Sequence, residues 1–456
     1  MKSAKLGIRK WLSFIVAGLI GQLAWAIENN YLNVYVFDCT QNYDFIPLMT
    51  LLSAVAATVT TLLIGALSDR LGKRKLFISC GYIIWGLSIV LFAFLDHRKP
   101  YSFIHATAAQ GALLCGTFVV ILDCVMTFFG STANDAAFNA FVTDNTETSN
   151  RGKVEAVLSI LPLVAMIAVV LLQGMLVPQP DPHVDKDWLW FFVAFGGITT
   201  LSGIILIFLL PKDVKGPNKE EPYFKNIIYG FRPKVIKSNA ELYLALLAFM
   251  IFSIGIQVFM PYFMVYVNAV LGYDLVSTAG PILGVACVLT VLFGFFMDKI
   301  GKYRLVFSAL GATVIGGIIL FIFNKELNYQ IGIIIGGIVL MTGYLVSTAV
   351  LGAKIRDYTP EKETGLFQGV RMVFVVLIPM VTGPYIGKGV SYIEGVPMIN
   401  EYGKEIMEPN KYIFLFAIII IALAVIPLIF LMKREKANKL KLEQQQVEVS
   451  NEQTAE

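Results

Sequence analysis

Charge is what this sequence has least of. Of its 456 residues 15% are charged and 57% hydrophobic, whereas a soluble domain carries about a quarter charged and close to half apolar residues. That imbalance excludes a globular core in water and makes a bilayer the solvent in which the chain is to be read. Other absences narrow the function. There is no Gly-x-x-x-x-Gly-Lys-Ser/Thr run to cradle nucleotide phosphates, so ATP-driven work would need another subunit. There is no His-Glu-x-x-His or paired acidic metal motif, and the three histidines, His97, His105 and His183, lie in or near connecting loops. An enzyme is disfavoured, no metal site is expected, and no cofactor is expected beyond a coupling ion. The five cysteines, Cys39, Cys80, Cys115, Cys124 and Cys287, form no paired framework and are read as small buried hydrophobes. No Asn-x-Ser/Thr sequon occurs, in keeping with a bacterial inner membrane.

What is present is a series of apolar runs of roughly twenty residues, the length a helix needs to cross about 30 Å of hydrocarbon. A membrane barrel would show short alternating segments instead. The hydropathy predicts twelve spans, at 11–36, 46–67, 76–95, 112–142, 154–177, 188–210, 240–268, 276–297, 304–323, 330–352, 365–388 and 411–432. The fold class is therefore all-α and polytopic, with both termini on one side. Placing them in the cytoplasm puts 28 lysines and arginines in the inner segments against 7 outside, the asymmetry that fixes orientation. The formal net charge of +4 thus describes topology and anionic headgroups, with no nucleic-acid partner implied. Span one resembles a secretory signal up to Ala24-Trp25-Ala26, but the apolar pattern resumes through Tyr31 to Phe37, so we expect it to be retained.

Segment 211–239 is the one long connection on the inner side, rich in Pro, Lys and Glu, and is read as a linker between a first half, 1–210, and a second, 240–432. The polar tail 433–456 is read as disordered or partly helical. Repetition ties the halves together. GALSDRLGKRK, from Gly65 to Lys75, follows span two; GFFMDKIGKYR, from Gly294 to Arg304, follows span eight. Each places Asp four residues after Gly, then Gly three later, then Lys. DNTETSNRG, from Asp144, follows span four, and DYTPEKETG, from Asp357, follows span ten, each with Thr two and Gly eight residues on. Two motifs recurring in order at equivalent places imply a duplicated six-helix unit.

The first of these loops resembles the signature of the major facilitator superfamily, matching at Gly65, Asp69, Arg70, Gly72 and Arg74, with Asp298 and Gly301 as a second copy. The resemblance implies twelve helices in two pseudo-symmetric bundles and a conformational latch at these residues, to which Asp144, Arg151 and Asp357 are added. Read without it, the loop is a tight, positive-inside turn. The stretch Phe141 to Val157 looks like the corresponding connection of the glycoside-pentoside-hexuronide cation symporters and their sucrose-transporter-like relatives, at Asp144, Thr146 and Arg151. It implies a sugar as substrate; Asn139 stands where plant sucrose carriers have Arg.

Ionisable groups inside spans cost about 2.5–3.5 kcal/mol at the centre on insertion scales, so each is a functional candidate. Glu28, Asp135 and Asp123 are the candidate coupling groups, because burial without a counter-charge favours the neutral form of a carboxylate and lets it carry a proton. Trp25, Glu28, Tyr31 and Tyr35 fall at helical spacing, with Asn29 and Asn30 beside them, and suit a sugar's rings and hydroxyls; alternatively Glu28 snorkels within an interfacial aromatic belt. In span four, Asp123, Thr127, Gly130 and Asn134 lie within about 60° of one another, and Asp135 about 120° from Asp123. That stripe, with Asn139, either lines a central cavity or glues helices together. Gln257, Tyr262 and Tyr266 around Pro261 are candidates for the opposite wall. Arg371, about 9 Å into span eleven, is expected to snorkel towards the membrane surface.

The expected function is secondary active transport of a small solute, most naturally a sugar, by a monomer coupled to a proton or sodium ion, the proton favoured. A proton-driven exporter of amphipathic drugs and, more remotely, a channel are the alternatives.

Overall fold

The computed structural model describes residues 6–95, 107–146, 148–177, 187–214, 229–325, 327, 329–360, 364–395 and 397–455. Lipid offers the backbone no hydrogen-bond partners, so the apolar runs satisfy their own amides as helices. The first half comprises α1 (Ile8–Thr40), α2 (Phe45–Leu71), α3 (Arg74–Phe92), α4 (Ala108–Asn145), α5 (Thr148–Leu176) and α6 (Leu189–Leu209). The second comprises α7 (Ala240–Val270), α8 (Leu275–Ile300), α9 (Lys302–Ile322), α10 (Gln330–Tyr358), α11 and α12 (Tyr412–Asn438). Helix α11 runs on through Thr364–Met372, Val373–Leu377 and Ile378–Val390. Eleven of the twelve are long and apolar enough to cross a membrane; in α5 the apolar stretch is shorter, Ile160–Leu176.

Local signals set the helix ends. Thr107 and Gln110 form a capping box at the start of α4, each side chain answering the other's backbone amide at 3.3 and 2.9 Å. Asp274 caps α8 by accepting from Ser277 N at 2.8 Å. The tight turns after α2 and α8 pass through Gly72 and Gly301, whose φ values of 63° and 89° fall in the region that an L side chain rarely adopts. This explains the glycine shared by the two copies of the loop motif.

The duplication extends to an ion pair. Arg74, two residues past Gly72, pairs with Asp144 at the end of α4 at 2.5 Å and donates to Ser68 Oγ at 3.1 Å. Lys302, one residue past Gly301, pairs with Asp357 at the end of α10 at 2.6 Å. In the second copy Tyr303 replaces the arginine, and Lys354 Nζ sits 3.9 Å from its ring centroid while pairing with Glu435 at 2.6 Å. Both motif pairs join elements within one half, not across halves. Arg70 is exposed. The side chains of Asp69, Asp298 and Arg151 lie outside the described set, as do the three histidines.

Of the expected linker, 215–228 lies outside the described residues; its remainder holds Tyr229–Phe231 and a short helix, Pro233–Ser238. The polar tail continues α12 as helix to Ala455, with Arg434 pairing Glu241 at the start of α7 at 2.6 Å. One element has no counterpart in the hydropathy pattern. Between α11 and α12, β1 (Pro397–Ile399) and β2 (Glu405–Met407) form an antiparallel hairpin, with Pro397 opposite Met407.

The two motif pairs differ in burial, with side-chain exposures of 10% and 6% for Arg74 and Asp144 against 28% and 46% for Lys302 and Asp357. Removing one partner from a buried pair costs about 3–5 kcal/mol, whereas an exposed pair contributes about 0–1 kcal/mol. Thermal unfolding of the detergent-solubilised protein should therefore be lowered far more by Asp144→Asn than by Lys302→Gln. Equal losses would mean the two copies are energetically equivalent.

Candidate functional site

Helix α1 changes register where its carboxylate sits. Residues Ile27–Tyr31 form one π-helical turn, which takes up an extra residue and rotates the rest of the helix away from a 3.6-residue count. The expected common face of Trp25, Glu28, Tyr31 and Tyr35 is broken for that reason. Tyr31 packs on Phe191 of α6 with ring centroids 5.6 Å apart. Tyr35 donates to the carbonyls of Phe92 and Leu95 and sits edge-on to Phe92, Trp188 and Phe192. Trp25 packs on Trp85 of α3 at 4.9 Å.

Glu28 itself turns into the first half. It is 7% exposed and accepts a hydrogen bond from Thr127 Oγ1 of α4 at 2.9 Å. Asp123, one turn before Thr127 and 1% exposed, lies within electrostatic reach of it. Glu28 Oε2 and Asp123 Oδ1 accept no hydrogen bond, and among the described residues neither carboxylate has a cationic partner. This is a pair of like charges, packed between α1 and α4, with two vacant acceptor oxygens.

The stripe on α4 faces the interior of its own half. Gly130 lies against Trp85 and Trp25. Asn134 donates to Tyr82 Oη at 2.7 Å, and Tyr82 donates to the Ala17 carbonyl at 2.5 Å. Of the two expectations for Asp123, Thr127, Gly130 and Asn134, binding α1 and α3 together is the one the packing displays. Asp135 and Asn139 lie off the stripe, and Ser131–Phe138 is a second π-helical stretch. Asp135 is half-buried and takes Ser131 Oγ at 3.0 Å; Asn139 is exposed, its amide on the Asp135 carbonyl at 3.0 Å.

Among the other expected wall residues, Asn29 is exposed and Asn30 buried, each donating to the carbonyl four residues back, Trp25 at 2.8 Å and Ala26 at 2.9 Å. Tyr262 is buried and donates to the Pro384 carbonyl at 2.8 Å, tying α7 to α11. Tyr266 opens a third π-helical turn and packs on Phe414 of α12 at 5.5 Å. Gln257 is half-buried against Gly383. The aromatics thus belong to bundle packing, and the exposed residues among those expected at the walls, Asn29 and Asn139, are polar. Arg371, expected to snorkel, is exposed and lies within electrostatic reach of Asp135 in the other half and of Arg356 on α10.

Helices α7 and α11 of the second half pack on α1 and α2, and α8 packs on α5. Polar links between the halves gather at the face opposite the termini. Asp44, in the α1–α2 turn, pairs with Lys388 at 2.9 Å and Lys404 at 3.5 Å, and Asn400 of the hairpin loop donates to the Gln41 carbonyl at 2.9 Å. Such contacts close one end of the seam between halves.

The sequence profile described as Major Facilitator Superfamily matches residues 11–384 and 285–452. No curated protein matches the chain. Among solved structures, a bacterial homolog to the human lysosomal transporter Spinster, inward-facing and unoccupied, is similar at 13% identity and TM-score 0.66, over 94% of this chain and 98% of that one. A single-substitution mutant of the nucleoside transporter NupG is similar at 10% identity and TM-score 0.67, over 92% and 98%. The inward-open xylose transporter XylE from E. coli is similar at 12% identity and TM-score 0.67, over 91% and 95%. At these identities the likeness is one of fold.

The side chains of Asp44 and Lys388 are 47% and 35% exposed, so their pair contributes about 0–1 kcal/mol. Asp44→Asn should accordingly raise the population open at this face by about fivefold at most, measured as spin-label distances between the α1–α2 turn and the end of α11. An unchanged distance distribution would remove Asp44 from the closure.

Proposed function

Since the chain belongs to the major facilitator superfamily, we propose that it is a secondary active transporter that moves an uncharged, polyhydroxylated solute, a sugar or glycoside, coupled to a proton on the Glu28–Asp123 pair. The observation that carries this reading is the pair itself, two unpaired carboxylates in an apolar bundle with vacant oxygens. Burying lone charges in low dielectric costs several kcal/mol or more each. A cation must therefore accompany them for part of the cycle, and its arrival and departure offer a way to couple an ion gradient to movement of the halves. A proton needs no coordination shell. Sodium would need the oxygens of both carboxylates and the Thr127 hydroxyl to close around it together.

Alternating access is supported by the contacts at Asp44, which join the halves at the face opposite the termini and leave the seam to open at the other. The lysine and arginine asymmetry favours the cytoplasm for that face, in a bacterial inner membrane. A sugar is favoured by the water-exposed groups. Asn29 and Asn139 each spend one amide hydrogen on the backbone and keep the second along with their carbonyl acceptors, while Arg371 supplies further donors; hydroxyls answer both. The neighbours described as xylose and nucleoside transporters carry polyhydroxylated substrates by their own descriptions. Tyr31, Tyr35, Tyr262 and Tyr266 are taken up in packing, so these rings are not free to line the cavity of a drug exporter.

In proteoliposomes with an imposed proton gradient, the wild-type protein should accumulate a sugar substrate above equilibrium, with or without sodium. Glu28→Gln and Asp123→Asn should each reduce accumulation to the equilibrium ratio while substrate exchange persists, because exchange needs no net movement of the ion. Full accumulation by the double variant would remove the pair from coupling. Accumulation that needs a sodium gradient and ignores the proton gradient would replace the ion.

A further inference from the structure

Arg371 is the arginine that stands within a span, and its surroundings give it a task that bundle packing does not. Its guanidinium carries five N–H donors and no acceptor, and among the described residues it makes no hydrogen bond or ion pair. It is exposed on α11, one residue before Met372 and the π-helical turn Val373–Leu377. Among the described residues, the charges within electrostatic reach of it are Arg356 on α10 and, across the seam, Asp135 on α4. An arginine that snorkels turns to phosphates or water at the membrane surface; this one lies within electrostatic reach of a carboxylate of the other half.

Asp135 mirrors it. One oxygen, Oδ2, accepts from Ser131 at 3.0 Å, and the other takes no bond from the described chain. Asp135 also sits in a π-helical stretch, Ser131–Phe138, a feature frequent at functional sites. Beside it the exposed Asn139 keeps its side-chain carbonyl free. One half therefore offers acceptors and the other donors, at charges close enough to feel one another but farther apart than an ion pair. An anion in that space would meet Asp135, and a cation would meet Arg371 and Arg356. A neutral group that both donates and accepts meets neither penalty.

Resting on the sugar reading above, we infer that Arg371 and Asp135 form a two-sided substrate clamp, in which Arg371 donates to hydroxyl oxygens and Asp135 accepts from hydroxyl hydrogens of one uncharged polyhydroxylated substrate. Arg371 is then the specificity residue of the second half. The planar fork matters: two parallel N–H donors match adjacent hydroxyls, whereas a lysine presents a single point charge.

The test is equilibrium binding by intrinsic tryptophan fluorescence on the purified full-length protein, with D-xylose, sucrose and methyl β-D-glucopyranoside as neutral probes and D-glucuronate as an anionic one. The variants are Arg371→Gln, Arg371→Lys, Asp135→Asn and the double Arg371→Gln/Asp135→Asn, each checked for monodispersity and wild-type thermal midpoint. For a neutral probe that binds, each single variant should weaken affinity about tenfold or more, as loss of a hydrogen bond to a charged group does. Arg371→Lys should recover only part of the loss, and the double variant should lose close to the product of the singles. Three results overturn the clamp. Unchanged affinity in Arg371→Gln does so while leaving the sugar reading intact. A double variant no worse than either single one does so by making the two residues a gating ion pair. D-glucuronate binding tighter than every neutral probe, and lost in Arg371→Gln, does so by making Arg371 an anion site. Wild-type protein that binds no neutral probe overturns the sugar reading itself, and the clamp with it.

Discussion

Hydrocarbon does not solvate charge, and the way this chain distributes its few charges organises the rest of the molecule. At the face with the termini, charges are matched locally, Arg74 with Asp144 and Lys302 with Asp357, so that each half is fastened to itself. At the opposite face Asp44 takes two lysines from the other half. Between these ends the matching stops. Glu28 and Asp123 share a buried site with no cation among the described residues, and Asp135 and Arg371 face one another from separate halves without closing to an ion pair. Unmatched charge in the interior is costly unless something mobile completes it, which is the condition a coupled carrier needs and a static bundle avoids.

Within each half, other polar groups tie helices together. The run from Asn134 through Tyr82 to the Ala17 carbonyl binds α4, α3 and α1, and Tyr262 on the Pro384 carbonyl binds α7 to α11. Contacts of this kind move with their half. Among the described residues the ion pairs that join the halves, Asp44 with Lys388 and with Lys404, are partly exposed and contribute little each.

Much of the fold was legible in the chain. Twelve apolar runs, an even count and two repeated loops led to two six-helix halves because the hydrocarbon thickness sets span length and a duplicated unit repeats its turns. Gly72 and Gly301 were legible as motif residues, and their positive φ is why both copies keep them. The hairpin between α11 and α12 was not, since three-residue strands leave no periodicity to detect. The site was legible in part. That Glu28, Asp123 and Asp135 are candidates could be read from the cost of charge in a span, but which of them lie together could not.

The sequence by itself determined the solvent, the number of spans, the duplication and the short roster of interior charges, because each depends on composition or local order along one chain. The tertiary structure alone decided which way those residues point. π-helical turns at Ile27–Tyr31 and Ser131–Phe138 shift the helical register, while Tyr31 and Tyr35 enter the packing and Glu28 meets Thr127. A register shift of one residue turns a side chain by about 100°, and it arises from packing between helices distant in sequence, which no count along a single helix contains. The same holds for Arg371, whose depth could be counted from its helix end but whose partner lies 236 positions away in sequence, in the other half.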